Sequence, residues 1–217
     1  VHNESRVIAG LLFELRQFSK RGHEIIIIDD GSTDETAKII ASYNYVKIIH
    51  IKTNTGKGAA LKKGIENSLN KKIIIFDGDM ELKPKEISKL MILDKRKSVN
   101  TVMGYRFNSL HPIESSFSWG NFMFTSFFNI LFNSNHKDIL CCAKAFYADD
   151  IKKYKITSIG FDVDVELSSV LSIVFKRNGV YQVPLSYERR SIAEGKKLKI
   201  SDGWGILFRI IKMIKYL

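Results

Sequence analysis

Hydrophobic and polar residues alternate in two distinct patterns through the first half of the chain. Unbroken β-branched runs, such as the isoleucines at 25–28, predict strands covered on both faces, as in a parallel sheet flanked by helices. Between these runs, apolar residues recur at helical spacing, so strands and helices alternate as in parallel βαβ units. The predicted elements are a helix at 6–19, a strand at 25–28, a helix capped by Ser32 or Thr33, a strand at 46–51, a helix after the NTGKG loop, a strand at 72–76, and a helix at 84–93.

The second half of the chain has a less regular pattern. It predicts strands at 101–105, in CCAKAFYA and in VYQVPLSYE, and helices at 115–132 and 161–175. The tail DGWGILFRIIKMIKYL predicts a basic amphipathic helix. No linker rich in Pro, Gly or Ser interrupts the chain. We therefore predict an α/β domain with a mostly parallel sheet over residues 1–200, followed by a C-terminal helix over residues 201–217.

The composition is that of a folded, basic protein. Hydrophobic residues make up 45% of the 217 residues, and 34 Lys and Arg against 23 Asp and Glu give a formal net charge of +11. This surplus predicts a phosphorylated substrate or an anionic membrane surface, and the glycine-rich, aromatic-interleaved repeats typical of RNA binding are absent. Cys141 and Cys142 are adjacent, and neighbouring side chains point apart, so we expect no disulfide and a cytoplasmic location.

Carboxylates follow two of the predicted buried strands. Asp29 and Asp30 follow the isoleucine run, and Asp77 and Asp79 follow the strand at 72–76. Open α/β sheets bind their ligands at the carboxyl ends of strands. Crowded carboxylates repel one another, so such a pair calls for a shared proton or a hard cation such as Mg²⁺ or Mn²⁺, which also binds substrate phosphates. An isolated DxD is usually a solvated turn, but two acid pairs on neighbouring strands favour a cation site at Asp77 and Asp79.

Other phosphate-binding motifs do not fit the spacing. Leu61 stands where a dinucleotide fingerprint has its third glycine, and Gly58 follows Lys57 where a Walker loop needs Ser or Thr. Glu81 stands four places after Asp77, where a haloacid dehalogenase has Thr or Val. A receiver domain, which also has an acid pair after a strand, is much shorter.

A set of motifs in fixed order resembles a known family. HNES, IIIIDDGSTDET, NTGKGAALKKGIENS and FDGDMELKP resemble family 2 glycosyltransferases of the GT-A fold. DILCCAKAF, GFDVDVEL and PLSYERRSIAEGKKLKISDGWGIL resemble the branch that includes polyprenyl-phosphate (dolichyl-phosphate) mannosyl- and glucosyltransferases. The resemblance covers essentially the whole chain, and its strength lies in the ordered set together with AEGKK.

The resemblance implies a site for a UDP- or GDP-sugar and a divalent cation, Mg²⁺ or Mn²⁺. In the family, the acid of the Asn-Glu turn holds the base or ribose, and the DxD acids meet the ribose and the metal that bridges the diphosphate. A cation there would neutralise charge on the leaving nucleoside diphosphate. The implied nucleotide-sugar residues are Asn3, Glu4, Asp29, Asp30, Lys57, Gly58, Asp77 and Gly78, and the implied metal ligands are Asp77 and Asp79.

For the acceptor, the resemblance implies that Arg106 and Arg190 clamp a phosphate, a task for which Arg is well suited. Glu166 matches either an acceptor-side base or a helix-starting residue. A lipid phosphate is already ionised and needs no strong base, whereas a sugar hydroxyl needs a carboxylate such as Asp162, Asp164 or Glu166. The implied catalytic residues are Asp79, Glu166 and Arg190.

The tail allows two interpretations. A basic helix with aromatic and aliphatic residues suits an anionic cytoplasmic membrane face, on which the protein would be peripheral. Alternatively, the helix packs on the catalytic domain and exposes a solvated basic face. From Lys196 onwards, the sequence has one acidic residue, Asp202. Its basic residues are Lys196, Lys197, Lys199, Arg209, Lys212 and Lys215.

This sequence differs from the family's pattern in two places. The strand that precedes the Asn-Glu turn in the family is missing, so we expect a fragmentary sequence with a gap beside residues 25–28. The DGDME motif differs from the residues common in polyprenyl-phosphate mannosyltransferases, so it does not identify the sugar that is transferred.

We predict an inverting, metal-dependent transferase that acts on a polyprenyl phosphate or a growing cell-surface glycan. The alternatives are a sugar-phosphate nucleotidyltransferase, although no GxGxRL-type loop is present, and a catalytically inactive nucleotide-sugar-binding domain.

Overall fold

The computed structural model describes residues 1–106, 116–175, 179–191, 195, 197 and 201–217. Short 3₁₀ turns at Pro84–Glu86, Lys95–Lys97 and Ile214–Tyr216 supplement the regular elements. The helices are α1 (Ile8–Lys20), α2 (Thr36–Ala41), α3 (Lys57–Asn67), α4 (Ile87–Leu90), α5 (Ser116–Leu131), α6 (Ala148–Lys152), α7 (Val163–Phe175) and α8 (Asp202–Met213). The strands are β1 (Ile26–Asp30), β2 (Lys47–Ile51), β3 (Lys72–Ile75), β4 (Thr101–Tyr105), β5 (Lys144–Tyr147) and β6 (Val180–Pro184).

The strands form two sheets, and the prediction of a mostly parallel sheet was wrong. One sheet contains the parallel pair β1–β2, and the other has the order β3–β5–β4–β6. In the second sheet, β5 runs antiparallel to both β3 and β4, whereas β4 and β6 are parallel. The second sheet is mixed because the long excursion through α5 returns the chain to the middle of that sheet in the opposite direction. Strand patterning predicts which residues form strands but not their direction.

The isoleucines of β1 and β3 are less covered than their sequence predicts. Ile27 is buried, but Ile26 and Ile28 are only partly buried, as are the three isoleucines of β3. The cause is a gap between β1 and β3, which belong to different sheets in the described part of the chain. Helices α1 and α3 border this gap, and Leu11 and Leu15 of α1 line it.

Helices α1 and α7 begin two residues later than predicted, and two other helices differ from the prediction in how they begin or end. Helix α2 begins at Thr36, where Asp34 accepts a hydrogen bond from the Thr36 N–H (3.0 Å), because the Ser32 hydroxyl instead accepts one from the Asn3 N–H (2.9 Å). Pro84 opens a 3₁₀ turn that continues into α4, which ends at Leu90. The predicted start of α5 at position 115 lies outside the described residues.

The helices of the second half enclose the largest core cluster. Phe128 of α5 and Leu171 of α7 are fully buried in it, and α8 contributes Ile206, Ile210 and Met213 to the same cluster. Helix α8 therefore packs against the α/β layers, as the second interpretation of the tail expects. Of the tail's basic residues, Lys196 and Lys199 lie outside the described residues. Among the helices in the described ranges, none combines the length and apolarity that crossing a membrane requires.

Candidate functional site: the cleft at the carboxyl ends of β1 and β3

A single cavity of about 1680 Å³ joins the carboxyl ends of β1 and β3 to the gap between them. Most of the predicted site residues line it. Asp29, Gly58 and Glu166 do not. The cavity therefore collects residues that are far apart in the sequence. The predicted residues that line it are Asn3, Glu4, Asp30, Lys57, Asp77, Gly78, Asp79, Arg106 and Arg190.

Asp30 anchors a loop at the edge of this cavity. Its Oδ1 accepts hydrogen bonds from the Thr55 N–H (2.9 Å) and hydroxyl (2.8 Å), and its Oδ2 accepts one from the Gly56 N–H (2.8 Å). Asp29 accepts a hydrogen bond from the Ser32 N–H (3.2 Å) and lies 3.1 Å from the His50 ring. Both carboxylates are buried and have fixed partners that shape the turns on either side of the strand end.

Asn3 is held by the same turn. It adopts a left-handed backbone conformation (φ 50°), which Asn tolerates better than most residues. Its Oδ1 accepts hydrogen bonds from the Thr33 N–H (2.7 Å) and the Asp34 N–H (3.3 Å). The Asn3 side chain thus ties the segment before α1 to the turn after β1, and this fixes the position of the next residue, Glu4.

The two glycines around Lys57 are required by a close backbone approach. A Cβ on Gly56 would lie 2.3 Å from the Ile159 carbonyl oxygen, and a Cβ on Gly58 would lie 2.3 Å from that of Ser158. The Gly58 N–H also donates to the Ile159 carbonyl (2.8 Å). Gly58 therefore serves the packing of α3 and does not line the cavity.

Lys57 lies between two carboxylates from distant parts of the chain. Its ammonium donates to Asp77 Oδ2 (2.8 Å) and to Asp164 Oδ2 (2.9 Å). Burial alone would lower the pKa of Lys57, but the charges of Asp164 and Asp77 raise it well above its usual value. Lys57 is thus a permanent cation that links the end of β3 to the start of α7.

Asp77 and Asp79 have unequal proton affinities. Burial alone would raise the pKa of Asp77, but Lys57 holds it below its usual value. Burial, followed by the charges of Asp77 and Glu81, raises the pKa of Asp79 to about 6. Asp77 therefore stays ionised, whereas Asp79 binds its proton more tightly than an exposed carboxyl does.

Arg190 and Lys197 converge on Glu4 from the C-terminal part of the chain. The guanidinium of Arg190 donates to both Glu4 oxygens (2.7 and 3.2 Å) and lies 3.5 Å from Asp79. Lys197 donates to Glu4 and to the His2 carbonyl oxygen. Glu81 holds this segment in place, because it accepts a hydrogen bond from the Arg190 N–H (3.0 Å). Basic side chains therefore cover the acid predicted to bind the nucleotide.

Arg106 is paired with a buried carboxylate. Its guanidinium donates to both oxygens of Asp138 (2.8 and 3.1 Å) and stacks 5.3 Å from the Tyr187 ring centroid. Burial alone would lower the pKa of Arg106, but Asp138 raises it well above its usual value. A role for Arg106 on an acceptor phosphate stays a prediction, and the side chain contributes charge at the cavity wall from a fixed position.

Glu166 is an anchor in a buried network. It accepts hydrogen bonds from the Thr157 N–H (3.0 Å) and the Ser158 N–H (2.7 Å). Burial alone would raise the pKa of Glu166, but these bonds lower it. Arg209 of α8 lies 3.5 Å from Glu166 and 2.8 Å from Asp162. These contacts favour the helix-start interpretation of Glu166 over the base interpretation, and they tie α8 to the loop before α7.

The model of one protein family, described as glycosyl transferase family 2, matches residues 1–155 of this chain. The chain belongs to glycosyl transferase family 2. The match includes both acid pairs and the loop at Lys57.

Two curated relatives illustrate this membership. Over 66 residues, 28% of this chain, the sequence is 44% identical to the dolichyl-phosphate beta-glucosyltransferase of Dictyostelium discoideum, and the matched segment spans 20% of that protein. Over 213 residues, it is 24% identical to Glycosyltransferase AglJ of Haloferax volcanii, with 95% of this chain and 67% of the relative covered. The chain thus spans about a fifth of the first of these relatives.

The fold of this family 2 glycosyltransferase is also that of solved structures. Glucosyl-3-phosphoglycerate synthase from Mycobacterium tuberculosis, in complex with Mn²⁺, UDP-glucose and phosphoglyceric acid, matches with a TM-score of 0.74 and 15% sequence identity. The match covers 99% of this chain and 77% of that chain. At this identity the likeness establishes the α/β GT-A fold, with mixed sheets flanked by helices.

In this family 2 chain, the residues present suit a divalent cation. Asp77 and Asp79 present carboxylate oxygens, the hard ligands that such a cation prefers, and burial with the Asp77 and Glu81 charges raises the pKa of Asp79. Within the described residues, no group of three or more His, Cys, Asp and Glu side chains forms a closed metal cage. One or two carboxylates are the usual protein contribution to a cation that also binds substrate phosphates.

Sequence reasoning missed several residues of the site. Asp138 opens the DILCCAKAF stretch quoted for the resemblance but was given no role there, and the structure reveals it as the partner of Arg106. Glu81 appeared only as a mismatch to another family, although it orients Arg190. Lys197 lies in the AEGKK segment, whose basic character was the available signal. Asp164 was one of three candidate bases, and its contact with Lys57 distinguishes it from Asp162 and Glu166.

Proposed function

We propose that this protein transfers a sugar from a UDP- or GDP-sugar to a polyprenyl phosphate or a growing cell-surface glycan, with inversion at the anomeric carbon and with Mg²⁺ or Mn²⁺. The observation that carries the proposal is the pair Asp77 and Asp79 at the end of β3. The neighbouring Asp77 charge contributes to the raised pKa of Asp79, and both residues line the large cavity. A cation and a diphosphate would complete the charge balance of this cleft.

On the donor side, Asp77 and Asp79 would hold the cation. When bound, it would stabilise negative charge on the leaving nucleoside diphosphate. Lys57 holds Asp77 in its ionised form through a direct contact, so Asp77 is ready to bind without losing a proton. Arg190 lies within 3.5 Å of Asp79, close enough for its guanidinium to meet a phosphate beside the carboxylates.

Basic side chains cover Glu4, so the donor site is closed at this carboxylate. Its carboxylate is bound by Arg190 and Lys197, so a nucleotide that uses Glu4 must displace these side chains. The freed cations would then be close to the donor phosphates. This exchange would couple nucleotide binding to ordering of the segment around Arg190.

On the acceptor side, the chemistry depends on the nucleophile. A polyprenyl phosphate is ionised at neutral pH and requires positive charge near it, and Arg106, Arg190 and Lys197 line the cavity. For a sugar hydroxyl, Asp164 is the best-placed base, since its Oδ1 is buried and lacks a hydrogen-bond partner among the described residues. Glu166 is less suitable because its oxygens accept hydrogen bonds from Thr157 and Ser158.

A peripheral contact with an anionic membrane is part of this proposal. Trp204 and Phe208 of α8 expose 78% and 68% of their surface, and Trp119 and Phe122 of the adjacent α5 are also exposed. Lys212 is exposed on the same helix, α8. Exposed aromatic rings beside lysines suit the interface of an anionic bilayer. Because α8 also packs in the core, the contact would use only its outer face.

A thermal-shift screen with UDP, GDP and CDP, with and without Mn²⁺, tests the donor proposal. A ligand that binds the native state raises the melting temperature by an amount set by its concentration relative to Kd. We expect stabilisation by UDP or GDP that requires Mn²⁺ and is lost in Asp79→Asn. Equal stabilisation by all three nucleotides without metal would contradict the proposed cation site.

Product analysis separates the proposal from its alternatives. With UDP-glucose or GDP-mannose, Mn²⁺ and a short polyprenyl phosphate, we expect a nucleoside diphosphate and a glycosylated lipid. When inorganic pyrophosphate is added, a nucleotidyltransferase would instead transfer the nucleotidyl group to it, forming a nucleoside triphosphate and releasing a sugar 1-phosphate. A binding module would retain the metal-dependent thermal shift but release no diphosphate.

Vesicle sedimentation tests the membrane contact without removing α8 from the core. The double variant Trp204→Ser, Phe208→Ser changes only exposed side chains, and Phe13→Ser, at an exposed aromatic residue of α1, is the matched control. We expect the double variant to lose most binding to vesicles containing phosphatidylglycerol while the control keeps it. Equal loss in both variants, or no loss in either, would refute a membrane face on α8.

A further inference from the structure

Arg209 of α8 is a buried cation outside the cleft. Only 10% of its side chain is exposed, and it is not among the residues that line the cavity. Its guanidinium donates to Asp162 Oδ2 (2.8 Å) and to the Thr157 hydroxyl (2.7 Å), and it lies 3.5 Å from Glu166. Exchanging a buried ion pair for apolar side chains is often neutral for stability, so this arrangement calls for a further explanation.

The three partners of Arg209 belong to one short stretch of chain, which we call the 157–166 segment. The Thr157 hydroxyl that accepts from Arg209 donates in turn to Glu166 (2.9 Å). Glu166 also accepts hydrogen bonds from the Thr157 N–H (3.0 Å) and the Ser158 N–H (2.7 Å). The guanidinium, the hydroxyl and the carboxylate therefore close a network that fixes the backbone just after Thr157.

The backbone fixed in this way supports the loop that carries Lys57. Gly58 is the second residue of α3, and N–H groups in the first turn of a helix have no partner within that helix. The Gly58 N–H instead donates to the Ile159 carbonyl oxygen (2.8 Å). The approach at Gly56 is also close, because a Cβ there would lie 2.3 Å from the same oxygen. A displacement of the 157–166 segment would therefore displace this loop.

The ammonium group of Lys57 meets the same segment. Asp164, in the first turn of α7, accepts a hydrogen bond from it (2.9 Å), and Asp77 accepts another (2.8 Å). Arg209 holds the start of α7 through Asp162, the residue before that helix. Both the backbone and the charged group of Lys57 thus depend on the segment that Arg209 holds.

We propose that Arg209 is a positioning residue of the donor site. By holding the 157–166 segment, it fixes Lys57, and through Lys57 it orients Asp77. This role rests on the proposed function for the cation that Asp77 binds, whereas the link from Arg209 to Lys57 stands on the contacts alone. Because Arg209 touches no reacting group, its loss should weaken binding of the cation more than it slows transfer at saturating cation.

A general packing role for α8 predicts a different result. Met213 of the same helix lies in the largest core cluster, so truncating it loosens α8 while Arg209 keeps its hydrogen bonds. Met213→Ala is therefore the matched control. It should lower the melting temperature, as loss of Arg209 does, but leave the loop at Lys57 in place.

The test compares Arg209→Gln, which removes the charge, with Arg209→Lys, which keeps the charge but not the planar fork of donors. The first measurement is hydrogen exchange of the Gly58 amide in the ligand-free protein, which reports the bond to Ile159. The second is sugar transfer as a function of Mn²⁺, with whichever of UDP-glucose and GDP-mannose the unmodified protein uses. It gives the half-saturating Mn²⁺ concentration and kcat separately.

For Arg209→Gln, we expect exchange of the Gly58 amide to become about tenfold faster, because local opening exposes it to water. The half-saturating Mn²⁺ concentration should rise about tenfold, as when an outer partner of a metal ligand is lost, with kcat within about threefold. Arg209→Lys should recover most of both changes, since an ammonium can still pair with Asp162. Met213→Ala should leave both quantities nearly unchanged.

Unchanged Gly58 exchange in Arg209→Gln, equal changes in Met213→Ala, or a fall in kcat without a change in the Mn²⁺ requirement would overturn the positioning role. If Arg209→Gln does not fold, Thr157→Val carries the same expectations, because it removes the hydroxyl between Arg209 and Glu166. If the unmodified protein transfers no sugar, the proposed function fails, and Gly58 exchange still decides whether Arg209 holds the loop.

Discussion

The two acid pairs of this molecule have similar sequence contexts but different surroundings. Asp29 and Asp30 lie within β1, and their carboxylates meet backbone N–H groups, a hydroxyl and a histidine ring. Asp77 and Asp79 follow β3, and their charged neighbours are Lys57 and Arg190. The first pair is held mainly by rigid donors of the loop. The second pair also has one backbone donor, the Glu81 N–H (3.0 Å to Asp79), but its other partners here are long cationic side chains.

The difference teaches how to tell an architectural carboxylate from one available to a ligand. Backbone donors are fixed by the fold, so Asp30 cannot release Thr55 and Gly56 without opening the loop. Side chains such as Arg190 can rotate towards a new anion. Burial, followed by the charges of Asp77 and Glu81, raises the pKa of Asp79, and this agrees with the distinction. Chemistry is therefore expected at the second pair, and scaffolding at the first.

The substitution Asp79→Asn should produce the largest change. It removes a charge from the proposed cation site while it keeps the shape of the side chain. We expect sugar transfer to fall roughly 100- to 1000-fold, the range typical of losing one preorganised electrostatic group. The measurement is the rate of nucleoside diphosphate release with acceptor and Mn²⁺ present. The melting temperature without ligands should stay constant or rise, because the raised pKa opposes ionisation in the folded state.

Asp149→Asn is the matched control for this experiment. Asp149 is on α6 and its side chain is 71% exposed, so the change also removes one carboxylate charge from the protein. We expect transfer within about twofold of the unmodified rate, consistent with the small effects of exposed charges. A comparable loss in both variants would mean that net charge, and not the site, controls the rate.

The substitution Asp30→Asn should mainly affect stability. Asp30 accepts hydrogen bonds on both oxygens, so an amide nitrogen on either side would face an N–H donor. We expect a loss of about 2–3 kcal/mol, from unpaired buried groups, and a fall in melting temperature of roughly 5–10 °C. Thermal unfolding without nucleotide measures it. An unchanged melting temperature would place Asp30 among the exchangeable carboxylates.

The sequence predicted which residues line one cavity better than it predicted their individual contacts. The order of motifs was sufficient to bring Glu4, Lys57, Asp77 and Asp79 to one cavity, because strand ends meet at one edge of the sheet. It could not tell that Gly58 serves a close backbone approach, or that Glu166 is an anchor. Those roles depend on residues 157–159, which are distant from Gly58 in the chain and carry no pattern of their own.

The fold was also predictable only in part. Apolar runs identified the strands, and β4 has the predicted bounds, because local patterns report burial and periodicity. The direction of β5 and the division into two sheets were not predictable, since they depend on pairing between distant segments. The partial exposure of Ile26 and Ile28 is a consequence of that pairing and not of their own sequence.

The pH dependence of stability tests the comparison between the two acid pairs through a smaller effect. The pKa of Asp79 is raised from 3.8 to about 6 in the folded protein, so the folded state favours the protonated carboxyl. Stability without ligands should therefore fall as pH rises from about 4 to about 6, by on the order of 2–3 kcal/mol from this group. The measurement is the unfolding free energy of the unmodified protein minus that of Asp79→Asn across this range. A difference that does not vary with pH would show that Asp79 titrates normally.

The smallest expected effect is that of Asp29→Asn, which is the counterpart of Asp30→Asn. The amide can keep its oxygen towards the Ser32 N–H and turn its nitrogen towards the His50 ring, so each neighbour retains a compatible partner. The side chain of His50 is 53% exposed, and a polar contact with so exposed a partner contributes at most about 1 kcal/mol. We therefore expect a fall in melting temperature of less than about 4 °C, measured beside Asp30→Asn under the same conditions. If the two variants lose equal stability, the charge of the carboxylates, and not the geometry of their donors, stabilises the end of β1. The claim that fixed donors hold Asp29 and Asp30 would then be wrong.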